Sequence, residues 1–212
     1  MVTKNGIIKK TPASEYESIR KSGKIAITLK EGDELISIFK TTGNDNIFLA
    51  TRNGMAICFN ENDARAVGRT ASGVKAIDLA DGDYVVGAEP VREDSKVLLV
   101  TDGGYGKCTD LTSFRIQHRG GKGLKAYKIT EKTGNIIGIS MVNDSEELIM
   151  VTSEGVVIRI RIKDIATTTG RITQGVRLIN LDDGVTVVSM DKISAEDAVE
   201  EESRRKQHRS YY

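Results

Sequence analysis

Thr51 to Phe59 read TRNGMAICF. Asn53–Gly54 stands between the apolar runs FLAT (48–51) and MAICF (55–59). That is the pattern of a two-residue β-hairpin, because Asn and Gly accept the positive φ of a turn whose twist matches the strands. The same unit recurs as TKNGIIKKT from Thr3, TDGGYGKCT from Thr101 and TSEGVVIRI from Thr152, with turn glycines Gly6, Gly54, Gly104 and Gly155 spaced by 48, 50 and 51 residues. A second landmark follows as SGKIAITL, SGVKAIDL, KGLKAYKI and QGVRLINL, its glycines Gly23, Gly73, Gly123 and Gly175 spaced by 50, 50 and 52. A third, turn-like landmark follows at Glu31 (EGDELIS), Asp81 (DGDYVVG), Lys132 (KTGNIIG) and Asp182 (DDGVTVVS). Three landmarks on one period establish a repeat.

The local chemistry within each unit is β. VLLV (97–100), ELIMV (147–151) and VTVVS (185–189) are short and rich in branched residues, which suits a pleated, packed surface. In VVIRIRI, Ile158, Ile160 and Ile162 alternate with Arg159 and Arg161, so one face is apolar and the other cationic. SEYESI and NENDARAV each predict one short helical turn. Four-stranded units without intervening helices predict an all-β, propeller-like disc. The expected architecture is one domain over 1–193, with about four blades of four strands from units 1–37, 38–87, 88–138 and 139–189. The first blade is expected to be incomplete, because MVTKNG opens inside a second strand. Residues 194–212, SAEDAVEEESRRKQHRSYY, predict a disordered charged tail.

A hydrophobic fraction of 39% among 212 residues supports a packed core. No apolar run approaches the roughly 20 residues of a membrane span, and no signal segment opens the chain, so the expectation is a cytoplasmic protein with no membrane partner. Cys58 and Cys108 sit in strand-like apolar contexts and read as buried thiols of a reducing compartment. A phosphate-binding loop ending in Gly-Lys needs a glycine five residues before that pair; Ile116 and Thr101 stand there instead. With His118 and His208 the only histidines, no catalytic triad or metal set forms. No catalytic residue, metal or cofactor is expected.

The net charge of +1 hides an uneven distribution. Residues 103–128 hold six Lys/Arg against one acid, Asp110. Within them lies QHRGGKG, that is Gln117, His118, Arg119, Gly120, Gly121, Lys122 and Gly123. Glycines let backbone N–H groups approach an anion, and they also serve plain turn geometry; both readings stay open. Basic positions recur near the landmarks. Lys9, Lys10, Lys107 and Arg159 follow the turn glycines; Arg20, Lys21, Lys24, Arg65, Arg69, Lys75, Arg115, Lys125, Arg171 and Arg177 flank the loop glycines. Such a periodic array suits phosphates rather than bases. The bland alternative for each is a solvated β surface. An acidic protein partner meeting a propeller scaffold is the alternative for the whole.

NGIIKKT, RAVGRTASGVKAIDLADGDYVVG, GGYGKCT, QHRGGKGLKAYKITEKTGNIIG and TTTGRITQGVRLINLDDG resemble the C-terminal domain of the DNA gyrase A protein, and the likeness runs from Val2 to about Asp191. It implies a β-pinwheel whose blades exchange an outer strand and whose basic rim binds and bends double-stranded DNA. The implied partners are the rest of the gyrase A protein together with the gyrase B protein, in an ATP-dependent, nucleoid-associated enzyme. The equivalent domain of topoisomerase IV is the near alternative. Gln117–Gly123 looks like the family's wrapping box, with His118 in place of an arginine and with a position in the repeat order that matches a later blade. The chain is thus expected to be about four of the usual six blades.

Overall fold

A computed structural model of the chain describes residues 1–19 and 21–194; Arg20 and the expected tail after Ser194 lie outside the described residues. Four small sheets follow one another along the chain, antiparallel except where Thr167–Thr168 joins the third in parallel. The first contains Leu35–Ser37, Val2–Thr3, Ile7–Ile8 and Val74–Lys75, in that spatial order. The second contains Val85–Pro90, Asn46–Thr51, Met55–Asn60 and Leu124–Lys125. In the third, Ile136–Val142, Lys96–Thr101 and Tyr105–Asp110 are joined by two short pieces, Thr167–Thr168 and Val176–Arg177. The fourth has three strands, Val187–Ile193, Glu147–Thr152 and Val157–Arg161.

The last strand of each sheet order in blades one to three comes from the following repeat. Val74–Lys75 closes blade one, Leu124–Lys125 closes blade two, and Val176–Arg177 closes blade three. This exchange places the strand deficit at the far end. The first blade reaches four strands, though short ones, by borrowing forward. Among the described residues the fourth has no later repeat to borrow from. Leu35–Ser37, Val85–Pro90, Ile136–Val142 and Val187–Ile193 adjoin one another from blade to blade, so they line the inside of the ring and the exchanged strands lie at its periphery.

The core sits between blades, and period-two alternation explains it. In Asn46–Thr51, Phe48 and Ala50 point into the cluster shared with blade three, whereas Ile47 and Leu49 point into the cluster shared with blade one. In VLLV, Val97 and Leu99 face blade two, and Leu98 and Val100 face blade four. A strand buried on both faces reads as an unbroken apolar run. Val157–Arg161 has only one covered face. Ile158 and Ile160 pack toward blade three, while Arg159 and Arg161 are exposed, as the alternation predicts. Single 3₁₀ turns form at Ala13–Tyr16, overlapping the start of SEYESI, and at Glu61–Asp63, inside NENDARAV. Two more, at Leu111–Ser113 and Ile162–Asp164, carried no comparable sequence signal. Cys58 and Cys108 are buried free thiols, both pushed up to about 11 by burial.

One sequence expectation is corrected by the fold. Lys107 was expected on a phosphate-facing surface, and it is fully buried. Its place on a central hairpin strand points the side chain between blades rather than outward. Lys9, at the equivalent place in the first unit, is buried too.

Candidate nucleic-acid interface

The exchanged strands fix a set of cations at equivalent peripheral places. Lys75 lies opposite Ile7, Lys125 opposite Met55, and Arg177 opposite Tyr105. Each is the second residue of its exchanged strand, and all three are exposed. A Lys75 Nζ–Asp78 carboxylate contact of 2.7 Å steadies the first. Arg177 donates to the Tyr105 hydroxyl from Nε at 3.2 Å and to Asn180 Oδ1 at 2.9 Å. A second pair recurs two residues beyond the 3₁₀ turns, where Arg65 and Arg115 are both exposed.

The Gly-rich loop is built onto the preceding repeat. Gln117 N–H donates to Cys58 O at 2.8 Å and Gly120 N–H to Ala76 O at 2.6 Å, while Gly121 O accepts from Asp78 N–H at 2.9 Å. Gly120 holds φ +82° and Gly123 φ +74°, a region that L residues rarely enter. A Cβ on Gly123 would stand 2.4 Å from Ala56 O, so this glycine is required by a close approach of two backbones. Asp63 anchors the loop's basic face. Its carboxylate lies 3.2 Å from His118 Nδ1 and accepts from Arg119 N–H at 3.3 Å. The His118 side chain is otherwise 97% exposed. Gln117 Nε2 is buried with no hydrogen-bond partner among the described residues. Lys122, Lys125 and Lys128 are exposed around the loop.

Arg119 is only half-exposed, and its guanidinium turns inward. Nε donates to Asp63 O at 2.8 Å and Nη1 to Lys75 O at 3.0 Å. The second contact is a repeat feature. Arg69 Nη1 donates to Ile25 O, and Arg171 Nη1 donates to Lys125 O at 3.1 Å. Each arginine thereby pins the exchanged segment of the repeat before it. Two of the five donors of a guanidinium satisfy the Arg119 clamp. The sequence shows these arginines as cations beside loop glycines; the clamp appears only once repeats are side by side.

Buried lysines back two of the three clamps. Lys9 Nζ donates to Ala26 O at 2.6 Å and to Arg69 O. Lys107 Nζ donates to Arg171 O at 2.5 Å and to Thr173 Oγ1 at 3.1 Å. Desolvation, with help from Arg171, holds the Lys107 ammonium down at about 8. At the Arg119 junction the equivalent residue is Ile57, and Asp63 holds the loop instead. Asp63 was missed from sequence; an acid inside NENDARAV looked like part of a helical turn.

The remaining candidates divide between surface and structure. Lys21 and Lys24 are exposed, Lys24 Nζ resting on the carbonyl of Glu17. Arg159 is ion-paired with Glu147. Among the described residues no group of His, Cys, Asp and Glu could hold a metal ion, and no helix is long and apolar enough to cross a membrane.

A family model described as the DNA gyrase C-terminal domain, a beta-propeller, matches residues 1–42, 45–92, 95–143 and 146–194. The chain belongs to the DNA gyrase C-terminal domain family. The four matched stretches follow the four repeats. Among relatives of this gyrase-type domain, the DNA gyrase A protein of Halalkalibacterium halodurans is 57% identical over 196 residues, covering 92% of this chain and 23% of the relative. That of Clostridium acetobutylicum is 49% identical over 198 residues, covering 93% and 24%. The chain therefore spans less than a quarter of these curated relatives. Two solved structures are similar. The C-terminal domain of DNA topoisomerase IV has a TM-score of 0.88 at 29% identity, covering 98% of this chain and 65% of that one. The DNA gyrase A C-terminal domain has a TM-score of 0.79 at 26% identity, covering 91% and 64%.

Proposed function

We propose that this domain binds duplex DNA along its periphery and bends it, serving as a non-catalytic part of the DNA gyrase A protein. Membership of the gyrase family supports the setting. The observation that carries the reading is the register identity of Lys75, Lys125 and Arg177, three exposed cations on three exchanged strands. Arg65 and Arg115 repeat in the same way, and Lys122 adds charge at the Gly-rich loop. A duplex presents one negative charge per roughly 1.7 Å of axis, so cations repeated blade by blade meet phosphates without reading bases. Lys107 and Lys9 are not part of this surface, and Arg119 acts first as a clamp that holds the loop.

Titration of labelled duplexes at several salt concentrations tests this. Log affinity falls steeply with log salt, by about 0.9 per phosphate contacted, unrelated sequences bind alike, and the ends of a bound duplex approach each other by fluorescence transfer. A flat salt slope overturns the proposal, and a protein partner retained after nuclease treatment points to an interaction scaffold. The TM-score of 0.88 favours a second reading, the equivalent domain of topoisomerase IV. Supercoiling by the holoenzyme, as against decatenation alone, separates the two.

A further inference from the structure

The junctions between repeats share one more bond, and the side chain at that bond changes from repeat to repeat. Five residues after a loop glycine, a backbone N–H donates to the loop of the next repeat. Thr28 donates to Ala71 O at 3.4 Å, Asp78 to Gly121 O at 2.9 Å, and Lys128 to Thr173 O at 3.0 Å. The bond fixes the backbone alone, so the side chain there stands beside the neighbouring loop whatever its chemistry. It is neutral in the first repeat, acidic in the second and basic in the third. In the last two, the peripheral cation of the exchanged strand, Lys75 or Lys125, lies three residues earlier.

Side chains at this spacing meet on the surface. Lys75 Nζ lies 2.7 Å from the Asp78 carboxylate, and Arg177 Nη1 donates to Asn180 Oδ1 at 2.9 Å. The bond from Lys75, helped through space by Lys122, holds the Asp78 carboxyl below its ordinary value of 3.8. In the segment between these two, the same spacing joins Lys125 to Lys128. Both are exposed, and neither ammonium has a hydrogen-bond or ion-pair partner among the described residues. Arg171 Nη1 donates to Lys125 O at 3.1 Å, which brings a third cation to this junction.

We propose that Lys128 contacts a DNA phosphate, and that the rim grips the duplex more firmly at Lys125 and Lys128 than at Lys75, where Asp78 stands in for the phosphate. The inference rests on the duplex-binding reading above and divides its rim into a strong and a weak point. A phosphate approaching Lys75 competes with a carboxylate already in contact, and that carboxylate repels the DNA backbone. A phosphate approaching Lys125 and Lys128 relieves the repulsion between two like charges. Binding driven by counterion release gains from each free cation it neutralises, so the second junction contributes and the first contributes less. The residue five places after the loop glycine thus sets the grip of each blade.

Titration of a labelled duplex with the whole chain, at several salt concentrations, tests this. Near 0.1 M salt, Lys128→Gln weakens binding by roughly threefold to tenfold and lowers the salt slope by about 1. Asp78→Asn strengthens binding by a similar factor, and unchanged melts of both variants show that charge and not folding is read. A second measurement needs no variant. Duplex shields lysines from an amine-acetylating reagent, read by mass spectrometry against the free chain, and Lys125 and Lys128 are shielded more than Lys75. In Asp78→Asn the shielding of Lys75 rises. A wild type whose binding ignores salt overturns the duplex reading itself. Steep wild-type salt dependence with both substitutions silent, or Lys75 shielded as strongly as Lys128, overturns this inference alone.

Discussion

The junction beneath the Gly-rich loop and the one after it solve one problem with different residues. At both, an arginine clamps the exchanged segment: Arg119 on Lys75 O, Arg171 on Lys125 O. Beneath Arg171 a buried ammonium, Lys107, binds the loop carbonyl. Beneath Arg119 the floor is Ile57, 1% exposed, and the loop is tied sideways to Asp63. The apolar floor takes the place of an internal cation, and Lys122 stands exposed on the outside of the loop. Cations near these glycines are therefore of two kinds, those that hold blades together and those that face solvent.

The largest expected effect compares two loop glycines. Gly123→Ala forces a Cβ against Ala56 O at a positive φ, and the loss should reach several kcal/mol, the range of core disruption. Gly23→Ala has the same sign of φ and open space around it, so only the left-handed strain of roughly 1–2 kcal/mol applies. Thermal melts of both variants check this; equal shifts would erase the distinction between a glycine under a neighbouring strand and one in open space.

Next comes the buried ammonium. Lys107 titrates at about 8 when folded against an ordinary 10.5. Between those values the unfolded chain binds the extra proton, so this group makes stability rise with pH, by up to about 1.4 kcal/mol per pH unit. Below about pH 8 both states are protonated and the slope vanishes. Denaturant titrations should show this rise in the wild type and not in Lys107→Met, which also loses about 1–3 kcal/mol at neutral pH through the unpaired Arg171 carbonyl. A rise retained by the variant would place the titration elsewhere.

Arg119→Ala and Lys122→Ala sharpen the contrast within one loop. The first removes bonds to Asp63 O and Lys75 O, and about 1–3 kcal/mol of stability with them. The second leaves the melt unchanged and lowers the salt slope of duplex binding by about 1. A stability loss from Lys122→Ala, or none from Arg119→Ala, would reverse the two roles. Smallest is Asp63→Asn, which keeps an acceptor for the Arg119 N–H while removing charge beside His118. A slight gain in duplex affinity with an unchanged melt is the expected result.

Much of the architecture was legible because the repeat exposes it three times over. Asn53–Gly54 between FLAT and MAICF predicts its hairpin, and VVIRIRI predicts which of its side chains face out. Less of the candidate site was legible. Lys75, Lys125 and Lys107 look alike in sequence, each a basic residue close after a landmark glycine, yet one strand carries its cation to the periphery and the other drives it between blades. Asp63 and Ile57 touch the loop across some sixty residues of chain, a separation that no local pattern encodes.

Periodicity and alternation depend on neighbours along the chain, so spacing and residue type alone determined the β repeats, their number and the faces of their strands. Tertiary structure decided which repeat completes which blade and which cations act as clamps rather than facing solvent. Those outcomes depend on backbones from different repeats meeting at close range, where a carbonyl that would stand 2.4 Å from an added Cβ, or a desolvated ammonium, outweighs any local propensity.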